Sequence, residues 1–211
     1  MPDFLRIQGT DFPDQLDYSN PADKQTKLLI QSGAGADLIS LADGSWAIAG
    51  SGDDTITGVG VGTFGLRFDD SPQAVLVRVD WSRVENDGFG NRDYLQGINA
   101  FVGSAFNDTI IGSNANEYFG SPDELPRGND SYVGGGGFDT VFYGAKFEDF
   151  RLEYSNGSDR VFVTYLGKGT RDVLEGIGLI QFLDKSIELR PKGSGNFELY
   201  FSDSADVIDA S

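Results

Sequence analysis

Residues Gly134 to Phe142 read Gly-Gly-Gly-Gly-Phe-Asp-Thr-Val-Phe: a cluster of glycines, an aspartate, and a large apolar residue two positions after it. A unit of this kind, once repeated, restricts the architecture severely. Glycine admits the left-handed backbone of a tight turn, and alternate residues of a short extended run point to one face. Nine residues therefore hold one turn and one short strand, whose apolar residue must be buried against further copies of the unit. The aspartate, held between turn and strand, supplies a hard oxygen ligand of the kind that suits calcium.

Other copies are scattered along the chain. Ser32 to Ser40 and Ala49 to Thr57 fit the pattern, with Asp37, Asp53 and Asp54 as carboxylates and Ile39 and Ile56 as inward residues. Between them Leu41 to Ala49 is degenerate: Trp46 occupies the aspartate position, while Ile48 keeps the spacing. A second series runs from Gly103 to Ile111 and from Gly112 to Gly120, and resumes after an insertion at Leu125 to Val133 and Gly134 to Phe142. Its carboxylates are Asp108, Glu117, Asp130 and Asp139. Weaker copies at the two ends, Gly9 to Asp17 and Phe201 to Asp209, place Asp14 and Asp206 in the same role. One Gly-Asp cluster is an ordinary turn. Several, each with Ile, Val or Leu two residues after the Asp, point to a repeat with calcium between its turns.

Charge supports the metal. The formal charge of −17, from 33 acidic against 16 basic residues, would repel itself in a compact state unless cations neutralised the clustered carboxylates. The 39% apolar content is enough for a core but not a generous one. Such acidity argues against nucleic acid, whose binding is led by Lys and Arg contacts to phosphate. With no Cys and no His, disulfides and the usual zinc ligands are excluded, as are Ser-His-Asp and Cys-His catalysis. We expect no enzyme. Calcium sites of modest affinity fill only where calcium is plentiful, so an extracellular or cell-surface location is expected. No signal peptide or membrane span is visible. Both ends cut into repeats, so the chain reads as one monomeric module, residues 1–211, of a longer protein.

Outside the repeats, Ala74 to Asp80 reads as a strand, followed by Trp81 and a polar loop carrying Asp87 and Asp93. Phe150, Leu152 and Tyr154 alternate up to Asn156-Gly157, and Val161, Val163 and Tyr165 alternate after it, a hairpin signal. Asp172 to Ile177 echoes Asp93 to Ile98, so one supersecondary element is expected twice. Helix is scarce; Asp23 to Gln31 is the best candidate for a short helix or the start of a buried strand. The expected core is Ile39, Ile48, Ile56, Ile110, Phe119, Val141, Leu152, Val163, Ile177, Ile180 and Phe182.

These residues resemble the RTX (repeats-in-toxin) family of Gram-negative bacteria, through Gly103 to Gly120 and through Phe138 to Phe142 with Asp172 to Ile177 and Phe182-Leu183-Asp184. The resemblance implies an all-β fold: a calcium-bound parallel β-roll decorated with antiparallel hairpins, with several ions, type I secretion and folding outside the cell. Its parts would be repeat series near 9–57 and 103–142, an exit segment at 143–190 and the start of a further repeat at 193–211. The short block, interrupted at Ser121 to Arg127, is similar to the calcium-dependent peptide-binding domain of large RTX adhesins. That likeness implies capture of the C-terminal carboxylate of a surface protein. Asp123, Glu124, Asp87 and Asp93 would be ligands in a groove. Trp81, Tyr118, Tyr132 and Tyr143 would line it or seal the core. Calcium-dependent sugar binding, or a structural segment of an extracellular enzyme, are the alternative readings.

Overall fold

The computed structural model describes residues 4–20, 27–121, 123–155, 158–191, 197–201 and 207–210. They are strands almost throughout, in parallel and antiparallel pairings, with two 3-10 turns, Val79–Trp81 and Phe147–Asp149, and no α-helix among the described residues. The all-β expectation holds. Among the described residues no helix is long and apolar enough to cross a membrane. The chain divides into two compact units, Met1–Ile110 and Ile111–Ser211.

The first unit carries β1 (Leu5–Gln8), β2 (Gln15–Tyr18), β3 (Leu28–Gln31), β4 (Leu38–Leu41), β5 (Trp46–Ile48) and β6 (Thr55–Gly58). It continues with β7 (Gly65–Arg67), β8 (Leu76–Arg78), β9 (Arg83–Asn86), β10 (Asp93–Gln96) and β11 (Ala100–Val102); β12 (Thr109–Ile111) runs through the boundary. Strands β1, β3, β5, β7 and β11 pair in parallel as one sheet. Strands β2, β4, β6 and β10 pair in parallel as another. From β1 to β7 successive strands thus alternate between two sheets, as a unit of one turn and one strand requires. The insert adds β8 and β9, which run antiparallel to each other and to β10.

The second unit carries β13 (Tyr118–Ser121), β14 (Ser131–Val133), β15 (Thr140–Tyr143), β16 (Phe150–Tyr154) and β17 (Arg160–Tyr165). Then follow β18 (Thr170–Glu175), β19 (Leu179–Gln181), β20 (Ser186–Pro191), β21 (Phe197–Phe201) and β22 (Val207–Ala210). Strands β13, β15 and β19 are parallel, and β20 to β22 extend that sheet antiparallel. Strand β14 pairs in parallel with β18, which the hairpin β16–β17 joins antiparallel. Both β10 and β18 therefore join one parallel and one antiparallel neighbour, the repeated element anticipated from residues 93–98 and 172–177.

Register puts the inward residues in rows. Ile39 lies opposite Ile56, and Ile56 opposite Leu95, while Phe119, Val141 and Ile180 form a row in the second unit. All are buried, each such side chain contributing about 1.5–3 kcal/mol over exposure. Of the expected core only Leu152 is not buried; it sits half-exposed on β16, the outermost strand of its hairpin. Three local expectations are corrected. Trp46 opens strand β5 beside Leu29, so Leu41 to Ala49 crosses between the sheets and is not an aspartate-type turn. The strand expected over Ala74 to Asp80 is only Leu76–Arg78, because the chain then enters a 3-10 turn. Asp23 to Gln31 yields strand β3 from Leu28 on; residues 23–26 lie outside the described residues.

Candidate metal centre

The repeat carboxylates form ladders. Asp14 N–H donates to Asp37 Oδ1 (2.8 Å), Asp37 N–H to Asp54 Oδ1 (2.8 Å), and Asp54 N–H to Asp93 Oδ1 (3.1 Å). In the second unit Glu117 N–H donates to Asp139 Oδ1 (2.8 Å) and Asp130 N–H to Asp172 Oδ1 (2.9 Å). The residue preceding each of these strands thus donates to a carboxylate of the neighbouring strand's segment, just before that strand for Asp37, Asp54 and Asp139, at its first residue for Asp93 and within it for Asp172. Parallel pairing repeats the turn in register, so each carboxylate meets the same backbone donor. Bonds of this kind to an ionised acceptor are stronger than neutral ones.

The second carboxylate oxygens divide into two groups. In the first, an N–H or O–H donor of the protein meets them. Ser104 donates its N–H to Asp108 Oδ2 (2.6 Å) and its Oγ to Asp108 Oδ1 (2.7 Å), and Ser113 serves Glu117 in the same manner. Thr10 donates N–H and Oγ1 to Asp14 Oδ2 (2.7 and 2.9 Å). Tyr132 Oη donates to Asp130 Oδ2 (3.1 Å), and Tyr143 Oη to Asp172 Oδ2 (2.9 Å). In the second group Asp37, Asp54, Asp93 and Asp139 are buried with Oδ2 bound to no donor. Asp87 belongs with them: its Oδ1 accepts from Phe89, Gly90 and Asn91 N–H, while its buried Oδ2 has no partner.

Turn geometry separates the groups. Where the fourth residue before the carboxylate is Gly33, Gly50 or Gly135, its φ is +103°, +81° or +90°. Ser82 is the only other residue type with positive φ among the described residues, so Thr10, Ser104 and Ser113 keep ordinary backbone. The glycine turns also stack in backbone contact. A Cβ on Gly50 would lie 1.7 Å from Gly33 O, a collision no side chain survives.

A bare buried carboxylate oxygen costs free energy unless a proton or cation meets it. Burial pushes Asp93 up to about 8 and Asp54 to about 7, and in each the charges of neighbouring aspartates, Asp87 among them, push the same way. Asp139 is pushed up to about 6 by burial and by the carboxylate of Glu117 beside it. Burial also raises Asp70, with Asp69 and Asp87 adding to it. The donor set is hard oxygen only and fits calcium. No three acidic side chains are close enough to hold a metal by themselves among the described residues, so main-chain carbonyls would have to complete the six to eight oxygens calcium takes.

The remaining candidates fall elsewhere. Asp53 is exposed and accepts Arg92 N–H at 3.0 Å; Asp206 lies outside the described residues. Asp87 and Asp93, expected in an open groove, are buried, because Asp87 closes its own loop and Asp93 ends the ladder of the first unit. Asp123 is exposed, and Glu124 pairs with Arg127. Tyr118 is half-buried with its ring 6.1 Å from Phe142. Tyr132 stacks on Phe119 at 5.6 Å and Tyr143 on Phe182 at 5.6 Å, so both rings fill the core and do not line a groove. Trp81 is 53% exposed beneath the Arg78 guanidinium, 3.6 Å from its ring centroid.

Sequence reasoning missed Asp172 altogether and misplaced Asp93. Their signal was present: Asp93-Tyr94-Leu95 and Asp172-Val173-Leu174 keep the Asp and the apolar residue two positions on, although the preceding glycines differ. No protein-family model and no curated protein matches the chain.

Proposed function

We propose that this chain is a calcium-dependent binding module of an extracellular RTX adhesin, folded as a parallel β-roll with antiparallel additions. The observation that carries the calcium reading is the set of buried, unpartnered oxygens on Asp37, Asp54, Asp93 and Asp139. The alternation of β1 to β7 between two parallel sheets supports the roll. Asp37, Asp54, Asp93 and Asp139, with main-chain carbonyls of the glycine turns, would hold the metal. Bound calcium supplies positive charge and open coordination for oxygen ligands, which an acidic domain otherwise lacks.

The ligand assigned to the module is a short peptide ending in a free carboxylate, which rests on the likeness of the short, interrupted repeat block to the peptide-binding domains of RTX adhesins. Exposed Asp123 in the insertion is the residue in place for solvent-side contacts. The test is binding of the calcium-loaded protein to peptides with C-terminal acids and to their amides, with a glycan array alongside. Binding to acids only, abolished by a chelator, is the expected outcome. Equal binding to acids and amides, or binding to glycans alone, would refute carboxylate capture.

A further inference from the structure

Asp37, Asp54, Asp93, Asp108, Asp139 and Asp172 each give one oxygen to a backbone N–H from a distant part of the chain, and the fate of the other oxygen differs. We propose that cations enter at the bare oxygens of Asp37, Asp54, Asp93 and Asp139, and that donors of the protein take the cation's place at Asp130 and Asp172, through tyrosine hydroxyls, and at Asp108, through the Ser104 N–H. The assignment rests on the calcium reading and deepens it, because it divides a set of similar motifs into metal-dependent and metal-independent turns.

Three observations support the division. At Asp130 and Asp172 the hydroxyls of Tyr132 and Tyr143 reach the second oxygen at 3.1 and 2.9 Å, and at Asp108 Ser104 serves both oxygens. At Asp37, Asp54, Asp93 and Asp139 no donor reaches an oxygen that is equally buried. The bare turns of Asp37, Asp54 and Asp139 are those with left-handed Gly33, Gly50 and Gly135, whereas Ser104 keeps ordinary backbone. A donor of the protein and a cation are alternative ways of satisfying the same oxygen. In the first unit the bare positions are consecutive along the ladder, Asp37 to Asp54 to Asp93. That places Asp93, which lies outside the regular repeats, among the metal ligands.

Calcium alone is the probe. Bound calcium is counted by equilibrium dialysis and elemental analysis on the full chain, for wild type, for Asp54→Asn, Asp93→Asn and Asp139→Asn, and for Asp130→Asn and Asp172→Asn. The first three are expected to lose about one ion each or to bind at least about tenfold more weakly, and the last two to keep the wild-type count. Loss of calcium from Asp130→Asn or Asp172→Asn, or its retention in Asp54→Asn and Asp93→Asn, overturns the division while leaving calcium binding intact. A wild-type chain that takes up no calcium overturns the calcium reading itself. Should the asparagine variants not fold, Ser104→Ala and Tyr143→Phe keep every carboxylate and decide the matter. Their calcium count is expected to be unchanged, with the melting temperature lowered equally in calcium and in chelator; a reduced count overturns the proposal.

Discussion

The two units solve one electrostatic problem differently. In Met1–Ile110 the ladder from Asp37 through Asp54 to Asp93 leaves an unpartnered oxygen at each of these steps, and the inserted loop adds Asp87. In Ile111–Ser211 the ladder from Asp130 to Asp172 is closed by two tyrosine hydroxyls, and Tyr143 is at once a donor and a ring packed between Phe150 and Phe182. Among the described carboxylates of that unit only Asp139 stays bare, against the carboxylate of Glu117. Motifs that look alike in sequence therefore differ in what they demand of solvent. On the calcium proposal the first unit calls for a cation along its ladder, whereas the second carries much of its satisfaction internally.

Calcium removal should reveal that contrast most strongly. With a chelator above about pH 8, where Asp54 and Asp93 have also lost their protons, the carboxylates of the first unit face one another without compensation, and we expect cooperative loss of its structure. Hydrogen exchange followed by mass spectrometry should show β4 and β6 losing protection before β14 and β18. Equal loss in both units would abolish the distinction, and no change in circular dichroism would remove calcium from the fold altogether.

Glycine substitutions come next in size. Gly60 has φ +104° with open space around its Cβ position, so Gly60→Ala should cost about 1–2 kcal/mol through backbone strain alone. Gly50→Ala adds a collision with Gly33 O, within the stacked turns, to a similar backbone penalty. We expect it to cost several times more in a denaturant titration. A comparable cost at both positions would mean that the turns do not stack in backbone contact.

How much of this was legible beforehand follows the length of the interactions. The Asp-x-apolar spacing is local, and it gave Ile39, Ile56, Phe119 and Val141 their buried places and Asp37, Asp54 and Asp139 their turns. The hairpin of β16 and β17 was likewise written in alternation around Asn156-Gly157. What escaped depends on residues far apart in sequence. Tyr143 is 29 residues from Asp172, and no local pattern shows that its hydroxyl is committed to that carboxylate. Trp46 misled for the opposite reason: its nine-residue spacing was right, but a crossing between the sheets needs no carboxylate. Asp87 read as a groove ligand on a polar loop, because three N–H groups folded onto one of its oxygens leave no trace in composition.

A smaller effect concerns pH. In the calcium-free fold Asp139, Asp54 and Asp93 hold their protons up to about 6, 7 and 8, whereas an ordinary aspartate releases its proton near 3.8. The folded state thus binds more protons than the unfolded chain over that interval, and its stability falls as pH rises through it. Each unit of pH across which one such proton differs is worth about 1.4 kcal/mol. In chelator, melting temperature should therefore rise on going from pH 8 to pH 5; in calcium it should fall over the same range, as protons compete for the ligand oxygens. Parallel curves in the two conditions would dissociate the bare oxygens from the metal.

The least effect on stability is expected at Asp123. It is exposed and outside both ladders, so Asp123→Ala should change stability by no more than about 0.5 kcal/mol. Asp139→Ala removes a ladder acceptor and should cost about 1–3 kcal/mol, because Glu117 N–H then loses its buried partner. Asp108→Ala strands Val75 N–H in the same way and belongs in the same range. Thermal melts of the three variants in calcium separate a residue available to a ligand from residues that hold turns together. Were Asp123→Ala as damaging as Asp139→Ala, the insertion would have to be part of the folded framework. Peptide binding lost with melting unchanged would instead place Asp123 at the ligand, outside the carboxylate ladders of the two units.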